Sequence, residues 1–462
     1  MTQITDDALT ALRSRVSGPV LARGDGDLAR EVAGFNVVVA HDPDVVVGAA
    51  SEADVVEAVR FAREHRLPIT IHATGHGADR STDAGLVLTT SRLVHVAVDA
   101  ETCTATLGAG VRWSAVVQAA APLGLAPITG SAATVGAVGF LLGGGLGPLA
   151  RSHGFASDRV RRYTVVTASG DVVTASADQN PELFWALRGG KVGLGVVTEA
   201  QVELVPIPSL YAGGLFFAAE HIEVALRAWV DWTEDVDDAV TSSAAILRFP
   251  DLPFVPDPFR GRTVLHVRVA FPGPVADGER LTAPLRAAAP VYVDALGPLP
   301  LTDVALIHND PREPVPVWDF GRFLDPVDQD LVSSLLAQVG PDVASPFLSV
   351  ELRHLGAATV DDVPEGSAVG GRGAAYSLVL IGAPDPSLFA EVLPQAEARL
   401  SGAVSAWTRV ETNVNFAGGG ALSDPQRFAS LWSLDTVSRL ARVRADWDPD
   451  GVFSGAWAAP RG

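Results

Sequence analysis

The chain of 462 residues contains one cysteine, Cys103, and one lysine, Lys191. A single thiol excludes an internal disulfide and any zinc or iron–sulfur centre built on cysteines. Positive charge is therefore nearly all arginine, and it is outnumbered. There are 34 Lys and Arg against 54 Asp and Glu, a net charge of −20. Nucleic-acid binding and docking on an anionic membrane both need clustered bases, so neither partner is expected. Apolar runs are broken by Gly, Pro or charge before the ~20 residues a membrane span requires. The opening MTQITDDALTALRSR has acids where a secretory signal needs bases, so a cytoplasmic protein is expected. What is present is apolar residue (48%), which can bury a large core, and enough length for two packed domains.

After a leading helical segment at 5–33, the pattern alternates strand and helix. Phe35–Val39, Val45–Gly48, Pro68–His72, Leu86–Leu88 and Val94–Val98 read as strands. Ser51 is placed to cap a helix over EADVVEAVRFAREH, with Asp54 at the capping-box position. A second unit runs from a strand at Thr104–Leu107 through a helix at Trp113–Pro122, a Gly-rich stretch, and a hairpin turning at Ser169-Gly170. It continues through a Pro-started helix, PELFWALR, and closes with a strand at Val196–Val205. Beyond Pro206, strands at 244–249, 263–270, 348–354 and 375–381 mix with helices at 221–235, 277–288, 327–338 and 386–399. That is an α+β pattern, an antiparallel sheet with helices on one face. A last helix at 424–445 and the tail DWDPDGVFSGAWAAP are too poor in apolar surface to fold alone and are expected to pack on the first domain.

Glycine carries the chemical signal. Gly130, Gly136, Gly139, Gly143, Gly144, Gly145 and Gly147 crowd one apolar stretch with Val135, Val138 and Phe140. Such a cluster lets backbone approach a flat or anionic ligand closely, with N–H groups aimed at it. Neither G-x-G-x-x-G after the first strand nor G-x-x-x-x-G-K-[ST] occurs, which argues against a Rossmann or P-loop site. A second loop, Ala73-Thr74-Gly75-His76-Gly77, places a histidine in a Gly-flanked turn directly after a strand. His72 lies four residues earlier, but no carboxylate has a fitting spacing and no metal is expected. No G-x-S-x-G elbow supports a Ser-His-Asp triad. The aromatic residues read as core, with Trp185 a helix–sheet contact; His153 and Tyr376 are minor pocket candidates.

Several ordered segments together resemble one family. FNVVVAHDPDVVVGAASEADVVEAVRFAREHRLPITIHATGHG, GSAATVGAVGFLLGGGLGPLARSHGFASDRV, ELFWALRGGKVGLGVVTEAQVELVP and RADWDPDGVF are similar to the vanillyl-alcohol-oxidase/p-cresol-methylhydroxylase superfamily, in its berberine-bridge-enzyme-like branch. The resemblance implies a two-domain PCMH-type FAD-binding fold, α+β. Residues 1–205 would form the FAD-binding domain and 206–411 an antiparallel-sheet substrate domain covered by helices. Residues 412–462 would return to the FAD-binding domain.

The resemblance also assigns roles. Ala73, Thr74, Gly75, His76 and Gly77 would be the FAD pyrophosphate loop, with His76 bonded covalently to the flavin. In the second tether pattern, G-x-C-x-T-V-G, this chain reads Gly130-Ser131-Ala132-Ala133-Thr134-Val135-Gly136, with Ala132 in the cysteine slot. A monocovalent FAD is therefore expected. In similar plant enzymes a Val at the position of Val135 admits oxygen to the flavin. Gly139, Phe140, Gly143, Gly144 and Gly147 would run beside the cofactor, and Val197 near its adenosine end. The segment Gly190-Lys191-Val192-Gly193-Leu194-Gly195 departs mildly from the family's G-K-G-N-F-G.

Relatives often carry Tyr-x-Asn-(Phe/Tyr) near the C-terminus, where the Tyr serves as base. This chain has Asn413-Val414-Asn415-Phe416. Asn413 cannot be a base but can hydrogen-bond flavin or substrate, as can Asn415. In the strand VELRHLG, Glu351 and Arg353 share one face and His354 the other. Glu351 is either an ion-paired sheet residue or the replacement base facing the substrate. An apolar pocket would raise its pKa and Arg353 would oppose the rise. The expected activity is FAD-dependent oxidation of a hydrophobic small molecule of secondary metabolism at a C–OH, C–N or activated C–H position. Molecular oxygen would be the acceptor. The alternatives are an oxygenase of flavin-N5-oxide type acting on a polyketide-like substrate, as in a family member with Glu in this motif, and a flavin-bearing binding protein without catalysis.

Overall fold

The computed structural model describes residues 4–191, 193–418, 420–421 and 424–453. Val192 and the tail after Phe453, both within motifs noted above, lie outside them. The first sheet has the order β1-β2-β4-β3, from Val20–Ala22 (β1), Val45–Gly48 (β2), Ile69–His72 (β3) and Leu86–Thr89 (β4). β2, β4 and β3 run parallel, in the register Val45 to Leu86 and Ile69 to Leu86. All residues of β2 and β4 are buried, as unbroken apolar runs in a parallel sheet require. The connecting helix Glu52–His65 starts where the Ser51 hydroxyl accepts the Asp54 N–H, and buries Val55, Ala58, Val59 and Ala62. It stops at Arg66, which turns left-handed at φ 55°. Only half of the expected capping box forms. The Asp54 carboxylate accepts N–H bonds from Ser17, Gly18 and Ala50, tying the leading segment down.

The second sheet is antiparallel, ordered β5-β6-β10-β8-β9. Its strands are Val96–Asp99 (β5), Thr104–Gly108 (β6), Val160–Val166 (β8), Val172–Ser176 (β9) and Val196–Glu203 (β10). Leu125–Ala126 (β7) pairs with Val205–Pro206 (β11). The third sheet runs β15-β12-β14-β13-β18-β19-β17, with β16 (Gly297–Pro298) alongside β12. Its strands are Tyr211–Ala218 (β12), Thr241–Arg248 (β13), Thr263–Phe271 (β14), Val291–Asp294 (β15), Asp319–Leu324 (β17), Phe347–His354 (β18) and Tyr376–Gly382 (β19).

Two cores result. The first joins both smaller sheets. It also takes in Val414, Phe428, Trp432, Leu440, Val443 and Phe453. The second sits under one face of the large sheet. There Leu226, Trp229, Leu285, Leu331, Leu335 and Leu400 from the helices 222–235, 275–288, 329–339 and 392–403 meet Leu265, Val267, Val350, Leu352 and Leu378. No helix among the described residues is long and apolar enough to cross a membrane.

Three expectations fail locally. Phe35–Val39 is not a strand: Asn36 makes one isolated bridge to Val315, and its side chain is held by Ala78 O, Val317 O and Val317 N. The leading segment contains the strand β1 as well as helix. The last helix is broken into Pro425–Ala429 and Leu434–Trp447, the second restarted by the Ser433 cap.

Candidate active site

The loop after β3 brings the first group of expected residues together. The His76 ring stacks on Phe35 at 3.9 Å. Its Nδ1 lies 3.0 Å from the Thr74 hydroxyl and its Nε2 3.0 Å from the Thr134 hydroxyl. Burial, reinforced by the charge of Arg112, pushes its pKa down to about 4, so the imidazole is neutral. The Thr74 hydroxyl also accepts the Gly136 N–H at 3.3 Å. Thr74, His76, Thr134 and Gly136 are therefore one cluster, and Gly75 takes a left-handed turn at φ 70°. Ser131 and Val135 are half-buried in the same turn, and Ala73 and Gly77 flank the histidine. Among the described residues no acceptor takes the N–H groups of Gly75, His76 or Gly77. A Cβ at Gly77 or Gly139 would meet nothing within 4 Å. Free donors beside open space fit a phosphate-bearing, flat cofactor such as FAD.

The Gly-rich stretch forms the short helix Ala137–Leu142. Gly143 and Gly144 N–H groups cap Phe140 O and Leu141 O, and residues distant in sequence supply further donors to its carbonyls. Lys191 Nζ donates to Gly139 O at 2.8 Å and to Asn415 Oδ1 at 2.7 Å. Asn415 Nδ2 donates to Phe140 O at 2.8 Å, and Asn413 Nδ2 to Gly143 O at 2.9 Å. The Asn413 Oδ1 accepts the Asn415 N–H. Gly189 and Lys191 N–H groups both donate to Leu142 O. Burial lowers the Lys191 pKa to about 8. Gly143 and Gly147 have no room for side chains, a Cβ on Gly147 lying 1.7 Å from Thr129 O, and Gly144 takes a left-handed φ of 92°. Gly130 sits under the Phe140 ring, and Val197 is buried in β10 beside Val165. Lys191 stood out in the sequence only as the sole lysine; its capping role had no motif to announce it.

The large sheet turns its uncovered face toward this helix. Phe323 packs with Leu146 and Ala150 of the Gly-rich segment, and Phe416 lies beside them. The Arg353 guanidinium lies over the Phe416 ring, 5.0 Å from its centre. Glu351 is buried on this face. Arg268 Nη1 donates to its Oε1 at 2.7 Å, and Arg353 Nε donates to its Oε2 at 2.9 Å. Burial pushes the Glu351 carboxyl up, but the charges of Arg353 and Arg268 outweigh burial and hold it well below the usual carboxylate range. The open question of sign is thereby decided, and a carboxylate held so low is a weak proton acceptor. His308 Nε2 lies 3.5 Å from Glu351 Oε1. Arg268 and His308 were missed in the sequence: the signal for Arg268 was an Arg, beside His266, inside the apolar strand TVLHVRVAF, and His308, after the segment Leu301–Ile307, had none.

The minor candidates belong elsewhere. Tyr376 points into the helix-covered core, with its hydroxyl 2.5 Å from that of Thr233. His354 bonds Arg151, and His153 bonds Ser152. Cys103 lies in the β5–β6 turn, its thiol directed at Ala100 O.

Residues 43–176 match the family described as FAD binding domain. (R)-6-hydroxynicotine oxidase of Paenarthrobacter nicotinovorans is 35% identical over 209 residues, 44% of this chain and 46% of that enzyme, so the match spans under half of the relative's length. The structure of 6-hydroxy-D-nicotine oxidase from Arthrobacter nicotinovorans superposes with a TM-score of 0.81 at 24% identity, covering 95% of this chain and 96% of that one. BBE-like 1 from Physcomitrella patens superposes with 0.83 at 19% identity, covering 98% and 99%. The chain carries an FAD-binding domain and has the mixed α+β fold of BBE-like oxidases.

Proposed function

We propose, for an oxidoreductase that carries an FAD-binding domain, the oxidation of a small organic molecule with FAD tethered covalently through His76 and oxygen as the electron acceptor. The observation that carries this reading is the His76 imidazole: neutral, fixed by two threonine hydroxyls, and set in a loop of free N–H donors. A neutral imidazole has the lone pair that bonding to the flavin demands. Ala132 in place of a cysteine leaves His76 as the single tether. Residues 1–205 with 412–462 would hold the cofactor and 206–411 the substrate.

FAD, when bound, would supply the acceptor for a hydride, that is two electrons and a proton, from a C–OH, C–N or activated C–H carbon, and the means to pass those two electrons to O₂ as H₂O₂. The residues of this chain do the holding. Gly75, His76 and Gly77 offer N–H groups to the pyrophosphate. Lys191, Asn413 and Asn415 fix the Gly-rich helix, so Asn413 is a positioning residue. We assign Glu351 the same kind of role, toward Arg268 and Arg353, in place of a proton-accepting one. Val135 is the residue that would admit oxygen. Denaturing the purified chain in acid tests the tether. Yellow colour should stay with the pellet and map to the peptide containing His76, and His76→Ala should release it. Free flavin in the supernatant, or flavin on Cys103, would overturn the assignment. Peroxide release on a panel of alcohols and amines tests the oxidase chemistry, and Val135→Leu should slow reoxidation by air while sparing reduction by substrate.

A further inference from the structure

The uncovered face of the large sheet carries a row of polar side chains in cross-strand register. Arg268 lies opposite Ser243, Ser243 opposite Arg353, and Arg353 opposite Ser377. The row ends at Phe323, opposite Ser377, where the face meets the apolar Gly-rich segment. Among the described residues, several of its buried atoms have no hydrogen-bond partner: Arg268 Nε, Ser243 Oγ and Ser377 Oγ, and beside the row His308 Nδ1. Native proteins rarely leave such atoms unpaired, and a cluster of them calls for a bound group.

The charges indicate which kind. Glu351 supplies one negative charge, Arg268 and Arg353 two positive ones, and all three are buried or nearly so. His266 and His308 add none, because burial and the charge of Arg268 keep both neutral. Among the described residues one positive charge is left without a counterion in a desolvated place, which is costly. A guanidinium can only donate, and its fork matches a carboxylate. A phosphate dianion would overfill the single vacant charge.

We propose that Arg268, Ser243, Arg353 and Ser377 form an anion cradle that grips a carboxylate of the substrate, with Glu351 as the positioning residue that holds the two guanidiniums together. The substrate is then an apolar molecule bearing one carboxylate. Its body lies toward Phe323, Phe416 and Leu146, and its acid group points away from them along the row. This rests on the oxidoreductase reading, whose substrate class it names.

The test uses the purified flavin-loaded chain, with benzoate and the uncharged isostere benzamide as probes. Binding is followed by calorimetry and by perturbation of the flavin spectrum. Benzoate should bind at least about tenfold tighter than benzamide, as expected for a charge-assisted hydrogen bond. Arg353→Gln should abolish that preference while benzamide affinity and flavin content stay as in the wild type. Arg353 is the less buried guanidinium, and Arg268 remains to pair with Glu351 in this variant. Arg353→Lys keeps the charge and should retain part of the preference. Equal binding of the two probes to the wild type, or a preference that survives Arg353→Gln, overturns the cradle. If the purified chain holds no flavin, the oxidoreductase reading fails, and calorimetry on that same protein still decides the cradle.

Discussion

The end of the Gly-rich helix and the polar row of the large sheet face one another and are built on opposite terms. At the helix end, the terminal carbonyls are met by Lys191, Asn413, Asn415 and two backbone N–H groups, and a Cβ at Gly143 or Gly147 would strike its neighbours. Along the row, two guanidiniums share one carboxylate and several buried polar atoms have no partner. The first region is complete in the protein alone and sets a fixed wall. The second is incomplete without a ligand, so its residues are chosen for binding at some expense of folding.

The contrast breaks most severely at Glu351, the one residue that makes the row tolerable to the fold. Glu351→Ala leaves two buried guanidiniums without a counterion and should cost about 3–5 kcal/mol in urea unfolding. A loss below ~1 kcal/mol would mean the row is wetter than its burial implies. On the completed side, Gly147→Ala drives a Cβ against Thr129 O and should cost about 3 kcal/mol, seen as a lower unfolding midpoint.

A pH series isolates Lys191. Its folded pKa of about 8 lies below the ordinary lysine value of 10.5. Below pH 8 both states are protonated and the fold bears the full burial cost. As pH rises from about 8 to 10.5, the folded state loses its proton first. The unfolded state then binds more protons, so stability climbs, by about 3 kcal/mol. The neutral amine still has two N–H donors for Gly139 O and Asn415 Oδ1. Lys191→Met should lack the climb, and the difference between the two proteins cancels the other groups that titrate there. A parallel pH course for both would show that the amine is already hydrated in the fold. The smallest effect is expected at the serines of the row. Ser243→Ala and Ser377→Ala should change stability by under ~0.5 kcal/mol, because neither hydroxyl has a partner to lose, yet weaken benzoate binding.

Much of this was legible before the fold was known, wherever the signal was local. The Ser51 cap, the strands β2 to β4 and the clustering of His76 with Thr74 follow from residues close in sequence. The α+β class followed from alternation. What stayed hidden depends on partners far apart. Lys191 and Asn415 meet across 224 positions, and Arg268 and Glu351 across 83. Neither the sign of the Glu351 shift nor the orphaned serines could be read from single strands, because both arise from register between strands. Phe35–Val39 misled because an apolar pentapeptide looks like a strand, while Asn36 anchors it as a single bridge.

The sole lysine also makes the chain its own reporter. An endoproteinase that cuts only after lysine has one target bond here, and cleavage there would give fragments of 191 and 271 residues (462 − 191 = 271). While Nζ is held by Gly139 O and Asn415 Oδ1, the lysine side chain is not free to enter the enzyme's specificity pocket. The rate at which the single cut appears therefore measures how often the cap on the Gly-rich helix opens. An amine-reactive reagent gives the same reading as a mass increment on the peptide that contains Lys191, told apart from the N-terminal amine by mapping.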